Sequence, residues 1–339
     1  MSTSSLPLRA AMVPVTRQMR AYFAPVNRSS ESPVVFDPAA CGLFGLDSPP
    51  APWADLGWIE NFQRFQSTPT NIVRSGPKAL PVGQFRGPLD VRIEFEFRQW
   101  GKLQMALAGG SEHMNVLATP AGTTPTASGG TPVPGVAVLA GSTATQLTLG
   151  AGVASGFAAG SVVAVDVDYQ QQLGYVGSGI AAAYVSDPVM VNRDVNYVRR
   201  VTFNVARVAE VTTDSLMLAQ PLLAGVPSGA SVQTVVAFVD REGGSFFQEW
   251  SALFVAEEES GGRVCFYYPR LSADPWNGSD KASGTGTKRA RENFAEIAKP
   301  LAMMSLQASF LALPYTDPND GQTVFCYRSY FPATMAAVY

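Results

Sequence analysis

The sequence has almost no histidine and little cysteine, and these two shortages remove most metal-binding and nucleophilic chemistry. Its 339 residues include one histidine, His113, and three cysteines, Cys41, Cys265 and Cys326. A His-rich zinc site or an HExxH helix needs more histidines than the chain has. A Ser-His-Asp triad would depend on His113 alone, and no GxSxG turn is present to hold a serine. The cysteines are odd in number and far apart, which favours reduced thiols packed as small hydrophobic groups.

Phosphate-binding motifs are also missing from the sequence. There is no GxxxxGK[ST] loop. The glycines at positions 150, 152 and 156 follow a strand-like segment, but the next segment is another strand pattern. A dinucleotide site would need a helix there, whose amino end could bind the pyrophosphate. We therefore expect no cofactor, no metal and no catalytic residue, and a protein that is not an enzyme.

Charged residues are scarce, at 15 % of the chain, whereas an average globular protein has about 25 %. Hydrophobic residues make up 46 %, which excludes disorder for most of the chain. Surfaces that are buried between subunits contain few charged residues, because desolvating an unpaired charge is costly. Low charge therefore favours an obligate assembly. The net charge of −3 argues against a general nucleic-acid binder, which would need a basic excess.

Long apolar runs are absent as well. No stretch of 18 apolar residues occurs, and the first residues lack the apolar segment of a signal peptide. We therefore expect a chain that is neither exported nor inserted in a membrane.

The clearest secondary-structure signal is a strict alternation over residues 89–98. Apolar residues occupy the odd positions and charged residues occupy the even positions. This pattern predicts a strand with one buried and one solvated face. A short helix is predicted to follow over 99–107 and to end at Gly109 and Gly110. The solvated face consists of Asp90, Arg92, Glu94, Glu96 and Arg98.

The sequence before and after this strand divides into regions of different composition. Residues 1–57 contain many prolines and little periodicity, which predicts an extended arm with short turns, ordered by neighbouring subunits. A Thr/Pro/Gly-rich linker begins at 119. It is followed by an internal repeat, because residues 135–167 align without a gap with 204–236, at an offset of 69 positions. Each copy contains a strand, a loop with glycines and a second strand, so the region 119–244 is predicted to be a small β module.

The remaining region, 245–339, begins with two strand patterns around the turn EEESGG, which predicts a hairpin. A polar loop over 274–288 and an amphipathic helix over 289–303 follow. Segments 306–313 and 323–330 are predicted to form the last strand pair, with a turn at 317–321. An aromatic residue in a polar loop is typical of an anchor that binds a partner. The loop's candidate contact residues are Asp274, Trp276, Asp280, Lys281 and Lys288.

Two parts of the sequence resemble the tail tube (major tail) proteins of long-tailed bacteriophages. The first carries GWIENFQRF, RSGPKALPVGQ and DVRIEFEFRQWGKLQMALAGGSEHMNV within 58–117. The second carries FFQEW, EEESGG and YYPRL, then the polar loop, the helix and two closing strands, within 245–335. The resemblance implies an all-β fold with one helix, with a tail-tube-type β-sandwich or barrel core. This core would be formed by 58–118 and 245–339, with 119–244 as an inserted β module.

The resemblance also implies a function. Tail tube proteins join their sheets edge to edge in six-membered rings, which stack into a hollow tube that carries the genome. The expected partners are copies of the same chain, other tail proteins and DNA in non-specific transit. The expected location is the virion tail, after assembly in the host cytoplasm. The charged face within 89–98 would line the bore or the outer surface of the tube, and the loop 274–288 would contact the adjacent ring.

Two other classes of function stay open at the level of the sequence. One is another tube or connector subunit of a phage-like injection machine, which would differ in its assembly state. The other is a carbohydrate-binding or carbohydrate-cleaving β-protein, with Glu249 and Glu257 as paired carboxylates.

Overall fold

The architecture is mostly β, with a single α-helix and a short 3-10 helix, Val153–Gly156, in the part of the chain that the structure describes. This computed structural model describes residues 16–27, 30–39, 44–50, 52–99, 101–110, 112–121, 133–167, 174–176, 183–185, 202–241, 249–258, 262–274 and 306–331. The helix α1 spans Lys102–Gly109. In chain order the strands are β1 Thr16–Pro25, β2 Ala54–Ser67, β3 Thr70–Ser75, β4 Leu80–Arg86, β5 Asp90–Phe97, β6 Glu112–Leu117, β7 Val136–Ala137, β8 Gln146–Thr148, β9 Val162–Asp166, β10 Gly174–Val176, β11 Ala183–Val185, β12 Val205–Val211, β13 Ser215–Leu218, β14 Ser231–Arg241, β15 Glu249–Glu258, β16 Arg263–Ala273, β17 Leu306–Ala312, β18 Tyr315–Thr316, β19 Thr323–Val324 and β20 Tyr327–Phe331. The predicted fold class, all-β with one helix, is confirmed.

Strands from both ends of the chain form a closed, six-stranded antiparallel barrel. Their order is β15-β1-β2-β5-β17-β16, and β16 pairs back onto β15. Aromatic rings fill the interior, and those of Phe95 and Phe310 stack with their centroids 5.5 Å apart. The barrel interior is therefore solid and is not itself a conduit. The large buried side chains in this core are Phe23, Phe95, Phe97, Trp250, Phe254, Tyr268 and Phe310.

The alternation over 89–98 gives the predicted strand. In β5 the apolar side chains of Val91, Ile93, Phe95 and Phe97 are at most 1 % exposed, whereas the charged side chains between them point out of the barrel. The helix α1 follows, and it ends where Gly110 adopts a left-handed φ of 56°. Both predictions are confirmed because the burial pattern and the glycine are local signals.

The amino-terminal segment is part of the barrel, and the prediction of an arm over 1–57 is wrong for its described residues. The strand β1 pairs with β15 on one side and with β2 on the other. Residues 30–39, 44–50, 52 and 53 then lie on the outer surface of the barrel, where Phe36, Phe44 and Trp53 are buried against Tyr22 and Tyr267. The many prolines indicate irregular backbone, but these three aromatic side chains are sufficient to hold the segment on its own subunit.

The internal repeat is a structural duplication. The second sheet has the order β6-β14-β9-β12-β13-β8, and β7 also pairs with β14. The offset of 69 positions makes β9 of the first copy equivalent to part of β14 in the second copy. The cross-strand pair Ser231↔Asp166 is therefore equivalent to the pair Val235↔Val162 in the same ladder. Hydrogen bonds repeat in the same way, because Leu149 N–H donates to Asp214 O at 2.7 Å and the equivalent Leu218 N–H donates to Thr145 O at 2.8 Å. A pseudo-twofold axis therefore relates the two copies.

The expected boundary between tube domain and module, at 118/119, cuts through this second sheet. The strand β6 lies before the boundary, yet it pairs with β14 over residues 235–241. Phe203, which precedes β12, is buried in the core cluster of the barrel. The module therefore begins at β6 and packs on the barrel, and the linker-like composition after 119 does not mark its start.

Of the two strand pairings predicted for the carboxyl-terminal region, one is present and the other is not. The predicted hairpin of β15 and β16 is present. The predicted pairing of the last two strands is wrong, because β17 and β20 both pair with β16, on residues 271–273 and 263–267. An eleven-residue strand is long enough to take two partners end to end. The turn at 317–321 joins the short strands β18 and β19 instead. The helix predicted over 289–303 lies outside the described residues.

The filled barrel predicts a large stability cost for truncating its central ring. Phe310 is fully buried and contacts Phe23 and Phe95. We expect Phe310→Ala to lower the free energy of unfolding by about 3–5 kcal/mol, because a cavity replaces the ring. Phe85→Ala is the control, since that ring is 67 % exposed and should change stability by less than about 0.5 kcal/mol. Urea unfolding of the dilute subunit measures both, and equal losses would contradict the assignment of the core.

Candidate assembly surface

The charged face of β5 lies on the outside of the barrel, between β2 and β17. Glu60 on β2 is directly opposite Glu96 on β5, which places two like charges side by side. Two neighbours balance them, because Arg98 forms an ion pair with Glu60 and Asn61 Nδ2 donates a hydrogen bond to Glu96 Oε1 at 2.9 Å. Burial raises the pKa of Glu94, and the charge of Arg92 opposes that rise. The predicted solvated face of β5 is thus a charged strip in which some side chains are ion-paired. We use the name strip for Asp90, Arg92, Glu94, Glu96 and Arg98.

The structure brings Asp274 to this same strip. Its carboxylate Oδ2 lies 3.4 Å from Arg92 Nη2, and its backbone N–H donates to Ser309 O at 2.9 Å. Residues from the two separate candidate sets therefore meet where the polar loop leaves β16. The other candidates in that loop, Trp276, Asp280, Lys281 and Lys288, lie outside the described residues.

The hairpin of β3 and β4 is the most exposed feature of the barrel, and the sequence analysis did not identify it. The pairing of β2 with β5 reaches Ser67↔Asp90, and the ribbon then continues as β3 and β4 from Thr70↔Arg86 to Ser75↔Leu80. Every residue of β3 and β4 is exposed. A two-stranded ribbon without a third strand is marginally stable in water. The signal that could have found it is the turn sequence SGPK between two short runs of apolar residues.

Both faces of this hairpin carry apolar side chains. Ile72 and Val73 are adjacent in β3, so they point to opposite faces. Phe85 pairs with Asn71 and shares the face of Val73. Monomeric proteins rarely leave such an apolar patch uncovered. The large apolar side chains, which are 42–67 % exposed, are Ile72, Val73, Leu80, Val82 and Phe85.

The hairpin and the strip on β5 have opposite charge. Residues 61–89 contain no Asp or Glu, and the hairpin itself carries Arg74, Lys78 and Arg86. Arg74 Nη1 donates to Ala79 O across the turn, at 3.2 Å. The strip contains more carboxylates than arginines, once Glu60 and Asp274 are included. One chain therefore presents two surfaces whose charges are complementary.

A third element of this surface is the edge strand β20. Among the described strands it pairs only with β16. An edge strand can pair with a strand from another chain through its backbone N–H and C=O groups.

The proposed carboxylate pair for carbohydrate chemistry is not assembled. Glu249 and Glu257 lie on the same strand, eight residues apart, which corresponds to about 26 Å. Glycosidases hold their two carboxyl groups about 5–10 Å apart. Each glutamate is also bound by an arginine, because Arg270 donates two hydrogen bonds to Glu249 and Arg263 donates one to Glu257. The structure contradicts that pairing.

No group of three or more His, Cys, Asp or Glu side chains in the described residues is placed to hold a metal ion. In the same part of the chain, no helix combines the length and the apolar character needed to span a membrane.

The strip predicts a specific response of one carboxyl group. In Arg92→Gln the nearby positive charge is removed, so the carboxylate form of Glu94 loses stabilisation and the pKa of Glu94 should rise further. Carboxyl-carbon NMR titration measures this pKa. Arg98→Gln is the matched control, because Arg98 pairs with Glu60, and it should leave Glu94 unchanged. A fall in the pKa of Glu94 in Arg92→Gln would be inconsistent with this strip.

Comparison of the chain with protein-family models and with curated protein sequences finds no match. No family is assigned on that basis, and the resemblance to tail tube proteins stays an expectation.

Proposed function

We propose that this chain is a structural subunit that assembles with copies of itself into six-membered rings, stacked as the tail tube of a long-tailed bacteriophage. The observation that carries the proposal is the projecting β3–β4 hairpin, which exposes apolar side chains on both faces. A subunit that functioned alone would leave this ribbon unsupported in water. A subunit in a polymer buries it between neighbours.

A second copy of the same chain is the occupant that fits the hairpin best. The acid-free, basic hairpin is complementary to the carboxylate-rich strip beside β5, and both are present on every copy. Burial of a large, half-exposed apolar side chain contributes about 1 kcal/mol or more. Five such side chains per subunit, repeated around a ring, support a stable polymer. The low charge of the chain agrees with a surface that is largely covered by neighbours.

A conduit built from this subunit must lie between subunits, since aromatic side chains fill each barrel. In a ring, one outer face of every barrel turns towards the axis. The net negative charge of the chain suits a bore for DNA, because it repels phosphate and so prevents sticking. We assign the strip on β5 to the contact with the hairpin of a neighbouring copy, and we place the chain in the virion tail, with other tail proteins at the ends of the tube.

Assembly is tested by electron microscopy and by sedimentation of the purified chain. We expect tubes of uniform diameter with sixfold end views, and we expect Val82→Asp to abolish them by placing a charge in the buried contact. Val236→Asp is a matched control, because the two valines are 63 % and 64 % exposed but Val236 lies in the module.

A chain that stays monomeric at high concentration, or loses tubes equally in both variants, would contradict the proposal. Rings that form but never stack would instead favour the connector subunit.

The module is tested by deletion at the boundary that the structure gives. A chain in which a Gly/Ser linker replaces residues 112–241 keeps all six barrel strands and the hairpin. We expect it to fold, as measured by circular dichroism, and to form narrower tubes, because the module projects outward. A shortened chain that folds but does not polymerise would place the module in the ring contacts.

A further inference from the structure

A buried lysine lies where the helix α1 meets the module. Lys102 is 9 % exposed, and its Nζ donates hydrogen bonds to Asn115 Oδ1, at 2.8 Å, and to the backbone oxygen of Thr202. Two aromatic rings enclose it, with Nζ 4.8 Å from the ring centroid of Phe203 and 5.6 Å from that of Phe238. Lysines are almost never buried so deeply, and neither the barrel nor the assembly surface requires this one.

The surroundings of Lys102 favour the neutral form of its amine. Burial lowers the pKa of Lys102 well below its usual range, which favours the neutral amine, and the charge of Asp166 opposes this only in part. A neutral amine has two N–H groups and one lone pair. The two hydrogen bonds use both N–H groups, and rotation about the Cε–Nζ bond, which breaks the bond to Asn115 Oδ1, turns the lone pair towards the amide carbon.

The side-chain amide of Asn115 is held as the electrophile. Asn115 is fully buried on β6, directly opposite Phe238 on β14, and its Nδ2 donates to Thr202 O at 3.0 Å. Because Oδ1 lies 2.8 Å from Nζ and a C=O bond is about 1.2 Å long, the amide carbon Cγ lies within about 4 Å of Nζ. Small side-chain movements bring this distance to the 3–3.5 Å, approximately, of a reactive pair.

A buried carboxyl group acts on the cluster through its charge. Asp166, at the end of β9, is fully buried, and its charge opposes the effect of burial on Lys102. The phenylalanine rings exclude water, which would otherwise hydrate the amine.

We propose that Lys102 and Asn115 join in an intramolecular isopeptide bond. The lone pair of Nζ attacks Cγ of Asn115, and a C–N bond forms. The bond from Cγ to Nδ2 then breaks, while one proton passes from Nζ to the departing nitrogen. A primary amine and a primary amide thus give a secondary amide and ammonia, with no change of oxidation state and no co-reactant.

The bond would connect α1, which packs against the barrel strand β17, to β6, the first strand of the module. It is a covalent link at the root of the module, and it goes beyond the proposed assembly function. Its formation does not depend on whether the chain polymerises.

Intact-mass spectrometry of the full chain tests this proposal. We expect a mass about 17 Da below that of the sequence, the mass of the ammonia that is released. Lys102→Met should show its full sequence mass. Asn115→Asp should release water instead, about 18 Da, and it keeps the test valid if the lysine variant does not fold.

Digestion locates the bond. Cleavage after Glu112 separates Lys102 from Asn115 in an unlinked chain, but the two fragments would stay joined in the linked chain, and trypsin would not cleave after Lys102. A cyclic imide at Asn277-Gly278 would cause the same mass loss, and it would lie in a different peptide. A full-mass chain, or a mass loss that maps away from Lys102 and Asn115, would overturn the proposal.

Discussion

The aromatic packing inside the closed barrel is the interaction on which the other features depend. It joins strands that begin at Thr16 and end at Ala312, so residues from nearly the whole chain share one core. Because the barrel is closed, each of its six strands pairs with a neighbour on both sides over part of its length. The strand β20 is added to β16 outside this ring. A rigid base of this kind can display a hairpin, a charged strip and a second β unit without losing its own stability.

Features that arise from local burial could be predicted from the sequence, and features that arise from distant contacts could not. The period-two pattern of β5 and the internal repeat both depend on how a segment packs within its own unit. Both are therefore visible in a single sequence. The strand β1 was missed because its partner β15 lies more than 200 residues away. Arg92 and Asp274 are also far apart in the sequence, and no local pattern predicts their contact.

The β3–β4 hairpin was missed for a different physical reason. Alternation appears when one face of a strand is buried in its own subunit and the other is wet. This hairpin has apolar residues on both faces and no burial within the subunit, so its pattern has no period of two. Lys102 and Asn115 were missed because a single lysine and a single asparagine are common, and only the packing of α1 against β6 makes them a pair.

The pairing of β1 with β15 also orders events during synthesis. Residues 16–25 must wait for 249–258 before their strand has both neighbours, whereas every described strand of the module is complete by Arg241. Domains fold as their residues leave the ribosome, so the module can fold first while the barrel is still open. The hairpin has no rigid base until the barrel closes. A nascent chain would thus become competent to polymerise only near the end of translation, which keeps incomplete subunits out of the growing polymer.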